Sequence, residues 1–237
     1  MPRSHEEQAQ ARLRVAAVAD VHSPKYLKEF KISLSGISKP DVFILAGDMI
    51  NFGKVTEYKN ILDAIDSALG RDFPIVACFG NEEPDAVRDE ILGLVGDRIR
   101  FLDEQAFQID LEGAILGIAG AATLVPARVT TNHDGIRDLF EERIERLSSL
   151  LAEVKKTSTH TILVMHYSPL REDDPKTLSR WVSEVVAEHQ PNVLVHGHLH
   201  SSASLEITIS GIRVVNVAFP ATGKITELQI LMGTTDE

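Results

Sequence analysis

Short apolar runs alternate with amphipathic stretches along most of the chain. Leu13–Ala19, Asp41–Ala46 and Phe73–Phe79 are near-continuous apolar runs, as strands buried on both faces should be. Between them Tyr26, Leu27, Phe30, Leu34 and Ile37 recur at helical spacing, and so do Tyr58, Ile61, Leu62, Ile65 and Leu69. Pro84 suits the first turn of a further helix running to about Val95. The pattern then shortens. Gln105–Asp110 and Ala114–Ala119 predict two strands turning at Glu112-Gly113. Helices are predicted over Asp134–Lys155 and Pro175–His189, with apolar strands at Thr161–His166 and Asn192–His196. The last third reads as strand throughout: Ala203–Ile209, Ile212–Val217 and Lys224–Leu231, the first two turning at Ser210-Gly211. Units of βαβ at the front and hairpins at the back predict an α/β fold. Its expected form is two mixed β-sheets packed face to face and flanked by helices, a four-layer αββα sandwich.

Composition narrows the class. No repeat, low-complexity tract or Gly/Ser linker interrupts the chain, so residues 13–237 read as one domain behind a polar extension, 1–12. A chain of 237 residues buries about 70% of its unfolded surface, enough core to need no covalent staple. The single cysteine, Cys78, cannot form an internal bridge, which predicts a reducing, cytoplasmic setting. Lys+Arg 24 against Asp+Glu 35 gives a net charge of −11, which disfavours broad nucleic-acid or anionic-membrane binding. No apolar run has the length of a membrane helix. A dimer is the expected assembly.

The chemistry gathers where strands end. Asp20-Val21-His22, Gly47-Asp48, Gly80-Asn81, His166 and Gly197-His198-Leu199-His200 each follow a predicted buried strand, where ligands of open α/β sheets collect. Alone, Asp20 or Asp48 is more often a turn or cap residue, and His166 more often a satisfied core histidine. The Gly-His-x-His run is rarer: a chain of this composition has about 0.02 chance occurrences. Spacing i, i+2 in Asp20/His22 and His198/His200 puts both donors on one side of an extended segment. Carboxylate, imidazole and one amide, with no thiolate, suit Mn²⁺, Fe²⁺, Zn²⁺ or Co²⁺, with Mn²⁺ favoured here. Asp20, His22, Asp48, Asn81, His166, His198 and His200 are too many donors for one tetrahedral ion. They fit two ions sharing a carboxylate, the clamp that hydrolyses phosphate esters.

The order D-x-H … GD … GN … H … GHxH resembles the calcineurin-like metallophosphoesterase superfamily, over nearly the whole span from Asp20 to His200. The resemblance implies two face-to-face mixed sheets with helices outside. It implies one metal on Asp20, His22, Asp48 and His200, and another on Asp48, Asn81, His166 and His198, with Asp48 bridging and a hydroxide between the ions attacking phosphorus. Catalytic roles fall by the same resemblance on Asn81, Glu82 and His198. One departure matters. The family usually carries His after the motif asparagine, in a run GNH[D/E]; here Glu82 stands there, in Gly80-Asn81-Glu82-Glu83. Asn216, before Val217, falls where the family often has an Asn-Pro-Gly turn.

The leading reading is a hydrolase of small phosphate esters. Diesters are favoured slightly over monoesters, because they bring one charge fewer past Glu82 and Glu83. The competing reading is a metal-bound scaffold that has lost catalysis and serves as a protein-binding platform. His133, in the polar loop Thr130–Asp134, is a candidate to replace the missing imidazole, though a solvated loop residue is the plainer reading. His196 should point away from the ligands. Trp181 and Leu178 fit a helix core face, Cys78 an inert strand position, and Arg128 and Arg171 are weak candidates for substrate contact.

Overall fold

In the computed structural model, which describes residues 12–111, 114–121, 134–202 and 204–231, the apolar runs become the strands of two sheets. The chain runs β1 (Arg12–Val18), α1 (Leu27–Leu34), β2 (Val42–Ala46), α2 (Glu57–Leu69), β3 (Ile75–Cys78), α3 (Asp85–Val95) and β4 (Ile99–Phe101). It continues through β5 (Gln105–Leu111), β6 (Ala114–Gly120), α4 (Asp134–Thr157), β7 (His160–Val164), α5 (Arg180–Val185) and β8 (Val193–His196). Then come β9 (Glu206–Ile209), β10 (Ile212–Asn216), a single turn α6 (Phe219–Thr222) and β11 (Thr226–Leu231). The first sheet has the order β11-β1-β2-β3-β4, parallel except for β11. The second has the order β5-β6-β7-β8-β10-β9, parallel in the middle with an antiparallel strand at each edge. Both sheets are mixed, as the sequence predicts.

Strand alternation builds the layers. Val15, Ala17, Val42, Ile44 and Ala46 face inward and meet Ile162, Val164, Val193 and Val195 of the other sheet. Their neighbours Ala16, Val18, Phe43 and Leu45 face outward, against Phe30 and Leu34 of α1, Tyr58, Ile61 and Ile65 of α2 and Ile91 of α3. On the far side Leu163 and Leu194 pack on Leu147 and Leu151 of α4 and Val182 and Val185 of α5. That is helix, sheet, sheet, helix. Each fully buried aliphatic side chain stabilises the fold by about 1.5–3 kcal/mol, so truncating Ile44 in the middle layer should cost about 2–5 kcal/mol.

The main local difference lies at Pro175–His189, expected as one helix and found as α5 alone. Asp174 captures the preceding turn: its carboxylate accepts from Lys176 N and Thr177 Oγ1, the short-range competition that keeps such residues out of helices. Leu170 and Leu178 then pair as a β-bridge. Leu178 is buried but lies before α5 rather than on a helix face as expected, because the Asp174 turn and the bridge to Leu170 hold it there; Trp181, on α5, packs against the same core. Residues 1–11, the turn Glu112-Gly113, Arg128, His133 and Ala203 lie outside the described residues. Among the described residues no helix is long and apolar enough to cross a membrane.

Candidate metal centre

The carboxyl ends of β1, β2, β3, β7 and β8 meet at one edge of the sandwich, because both sheets are parallel in their middles. Backbone pairing carries on past the strands. Asp20 N donates to Gly47 O at 3.0 Å, His22 N to Asp48 O at 3.0 Å, and Gly197 N to His166 O at 3.0 Å. Four of the predicted site residues sit in the left-handed region: Asp20 (φ 57°), His22 (φ 46°), Asp48 (φ 52°) and His198 (φ 68°). That conformation is uncommon outside glycine and clusters at functional sites. Gly47 (φ 84°) shares it, and a Cβ there would also lie 2.7 Å from His166 Nδ1 and 2.8 Å from Gly80 N. At Gly80 a Cβ would overlap Asp48 Oδ1. These two glycines let three loops close on one point.

Ligand atoms converge there. Asp20, His22 and His200 form one group and Asp20, Asp48 and His166 a second, each with its donor atoms within 4.8 Å of one another. His200 Nε2 lies 3.0 Å from Asp20 Oδ1 and 3.3 Å from His22 Nε2. Asp48 Oδ2 stands between the groups, 3.3 Å from His166 Nε2 and 4.0 Å from His22 Nε2. Asn81 Oδ1 is 3.2 Å from His166 Nε2. His198 is placed differently. Its backbone N donates to Asp20 Oδ2 at 2.8 Å, while its imidazole packs on Tyr167 with ring centroids 4.5 Å apart, outside both groups. Asp20, His22, Asp48 and His166 are buried; Asn81, His198 and His200 leave the centre open on one side.

The donor set fits a cation. His166 Nδ1 lies 3.0 Å from Ala46 O, which fixes the proton on that nitrogen and turns the Nε2 lone pair toward two oxygens, of Asp48 and Asn81. His22 and His200 likewise bring two imidazole nitrogens together beside a carboxylate. At His166 a lone pair faces two oxygens in a buried site, which positive charge between them relieves, whereas a proton on one Nε2 can already join His200 to Asp20 and His22. With only protons to supply it, burial opposes charging His166, yet Asp48 and Asp20 push its pKa up to about 9. Burial likewise opposes ionisation of Asp20, but His200 and His22 hold its carboxyl well below the usual carboxylate range. A divalent ion held by either group would supply the charge that those protons otherwise provide.

Glu83 is the residue the sequence does not reveal. It is fully buried behind the centre, and its Oε2 accepts from Asp48 N at 2.8 Å and Gly80 N at 2.7 Å. Oε1 accepts from Met49 N at 2.7 Å, Ile50 N at 3.3 Å and Tyr58 Oη at 3.1 Å. Burial and the Asp48 charge push its pKa up, while the backbone amides pull it down. All five partners donate, so they favour the carboxylate. Glu83 thus ties the loop of Asp48 to the loop of Asn81. A carboxylate two residues before a helix reads as ordinary capping, and no signal in the chain separates it from Glu82. Glu82 itself turns away: Oε2 accepts from Phe52 N at 2.6 Å, while its backbone N donates to Asp48 Oδ1 at 2.7 Å.

The supporting residues fall into place. Asn216 Nδ2 donates to Leu199 O at 2.9 Å and Oδ1 accepts from Ala218 N at 3.0 Å, propping the loop that carries His198 and His200. His196 is buried, its Nδ1 2.9 Å from Gly197 O, and burial pushes its pKa down to about 4, which leaves it neutral. Cys78 is buried, and burial pushes its thiol pKa well up. Arg171 pairs with Asp173 on the exposed surface.

Comparison with known proteins agrees with this geometry. A family model described as calcineurin-like phosphoesterase matches residues 13–202. No curated protein sequence matches. Among solved structures, the protein TT1561 of Thermus thermophilus is similar at 16% identity and a TM-score of 0.62, over 92% of this chain and 98% of that one. The NAD nucleotidase of Haemophilus influenzae is similar at 15% identity and a TM-score of 0.58, over 94% of this chain and 56% of that one. Purple acid phosphatase PPD1 from yellow lupin seeds is similar at 15% identity and a TM-score of 0.57, over 95% of this chain and 47% of its own. At these identities the likeness is one of fold.

Proposed function

The chain belongs to the calcineurin-like phosphoesterase family, a metal-dependent phosphoesterase, and from that premise we propose a two-metal hydrolase of small phosphate esters. The observation that carries the reading is the convergence of acceptor atoms from Asp20, His22, Asp48, His166 and His200. Asp48 is the proposed bridge, since its Oδ2 lies between His166 and His22. Asp20, His22 and His200 would hold one ion, and Asn81, His166 and His198 the other, His198 by a turn of its ring from Tyr167. Mn²⁺ is the favoured metal. Two such ions, when bound, neutralise phosphate charge and make hydroxide available as nucleophile near neutral pH.

The residues do the rest. Asp48, fixed by Glu83 through its backbone N and by Glu82 N through Oδ1, presents Oδ2 in one orientation. Asn81 and His198, exposed on the open side, are the residues proposed to contact the phosphoryl oxygens. Glu82 is engaged with Phe52 N and supplies no proton to a leaving group. The scaffold reading is kept as the alternative that the turnover assay decides. The preference for diesters now rests on Glu82 and the net charge of −11, because Glu83 lies buried behind the centre.

The test is turnover of bis-p-nitrophenyl and p-nitrophenyl phosphate by Mn²⁺-reconstituted protein, with metal content measured in parallel. Two ions per chain and faster diester turnover are expected. At most one tightly bound ion after reconstitution sinks the two-metal assignment, and faster monoester turnover sinks the diester preference.

A further inference from the structure

We propose that Phe52 is a platform on which a flat aromatic group of the substrate stacks, and that Glu82 is the residue that positions it. The inference rests on the phosphoesterase reading and deepens it. Phe52 is 79% exposed, the most exposed large hydrophobic side chain among the described residues. It is not loose. Phe52 N donates to Glu82 Oε2 at 2.6 Å, Gly53 N donates to Glu82 O at 3.0 Å, and Asn51 N donates to Ser23 O at 3.1 Å. Its φ is 50° and that of Gly53 is 64°, so a bulky residue occupies a left-handed position that a turn fills more comfortably with Asn or Gly.

The place is informative. Phe52 lies four residues after Asp48 and is bonded to the residue next to Asn81, whose Oδ1 is 3.2 Å from His166 Nε2. Its backbone is thereby tied to the loop that carries Asn81, one of the exposed residues on the open side. Tyr167 is the other aromatic residue nearby, but it is half-buried and its ring is packed against His198 at 4.5 Å. Among the described residues no ring or cation is stacked on Phe52. A clamped, strained and exposed phenyl ring beside a phosphate site matches an ester whose organic part carries a π-face, a nucleobase or an aryl group. The metals engage the phosphate and the ring engages the base. Stacking of this kind tolerates any base, because each has a flat face.

The test compares two ligands that differ only in the base. Adenosine 5′-monophosphate and ribose 5-phosphate are titrated calorimetrically into the Mn²⁺-loaded protein. The nucleotide should bind about tenfold more tightly, at the low end of the stacking contribution of one aromatic side chain. Phe52→Ala should bring the ratio of the two dissociation constants close to one, and Phe52→Trp should preserve it. Glu82→Ala should reduce the ratio while Glu82→Gln, which keeps an acceptor for Phe52 N, restores it; a merely structural glutamate would leave the ratio alone. Equal binding of both ligands by the unmodified protein, or a ratio untouched by Phe52→Ala, overturns the platform and leaves the phosphoesterase standing. If neither ligand binds although the protein turns over bis-p-nitrophenyl phosphate, the platform is overturned and the phosphoesterase stands; if that ester is not turned over either, the phosphoesterase reading falls and the platform with it.

Discussion

Replacing Glu83 by Gln changes one atom in the most densely bonded carboxylate of the centre, and the outcome can be worked through. With the amide oxygen in the Oε1 position, the new NH₂ faces Asp48 N and Gly80 N, which now confront a donor. With the amide flipped, Met49 N and Ile50 N are the ones orphaned, while the Tyr58 hydroxyl can rotate to accept. Either way two buried amides lose their partner. Each costs about 1–3 kcal/mol, so the gross penalty is about 2–6 kcal/mol. Removing a buried charge from beside Asp48 offsets part of it, and a net loss of about 3 kcal/mol is expected. For a chain of this size that lowers Tm by roughly 6–12 °C. The assay is urea and thermal unfolding followed by the single tryptophan, Trp181. Metal binding should weaken about ten- to hundredfold as well, because the backbone of Asp48 is no longer fixed. Tyr58→Phe leaves four donors on the carboxylate and should cost only about 1 kcal/mol. A Glu83→Gln protein within about 0.5 kcal/mol of the parent, binding metal normally, would refute the assignment.

Other expectations follow from the same geometry. Asp48→Asn should lower the occupancy of both ions, and His200→Ala chiefly that of one, by elemental analysis after dialysis; equal effects from the two would remove the bridge. Gly80→Ala drives a methyl group into Asp48 Oδ1 and should cost upward of about 2 kcal/mol with loss of metal, read by calorimetry; an unchanged Tm would show that the loops can part. Cys78 should resist a thiol reagent in the native protein and react on unfolding, and prompt native labelling would contradict its burial. Alkyl phosphate esters should turn over far more slowly than p-nitrophenyl esters, since a positioned general acid is worth about 10²–10⁴-fold and Glu82 is not one. Equal kcat/KM across leaving groups would point to a proton donor in another loop.

What the sequence discloses, and what it withholds, follows range. The buried strands, the long helices and the mixed character of the sheets are written in local periodicity, and the candidate ligands announce themselves by type and by their place after each strand. Elements of three or four residues such as β4 and α6 are too short to carry a period. The helix expected from Pro175 is cut short by Asp174, a side chain acting on the backbone, which hydrophobic spacing does not record. Glu83 and Phe52 are missed for a different reason. Their meaning depends on which loops meet: Glu83 reaches back 35 residues to Asp48 N, and Phe52 N reaches forward 30 residues to Glu82. The spacing of His198 marks it as a candidate ligand, while its stacking on Tyr167, which holds the ring outside both donor groups, is not legible there.

The left-handed backbone at Asp20, His22, Asp48 and His198 sets stability against function. Holding a non-glycine residue there costs on the order of 1 kcal/mol, so roughly 4 kcal/mol is stored at four positions. Crowded acceptor atoms add to it. A bound cation would offset that cost, which protons on the site histidines relieve only at the crowded acceptors and not in the backbone. Selection for thermal resistance in the presence of a chelator should therefore enrich substitutions such as His22→Asn, which relieve the backbone and destroy the centre. The fold is more stable without the site it exists to build.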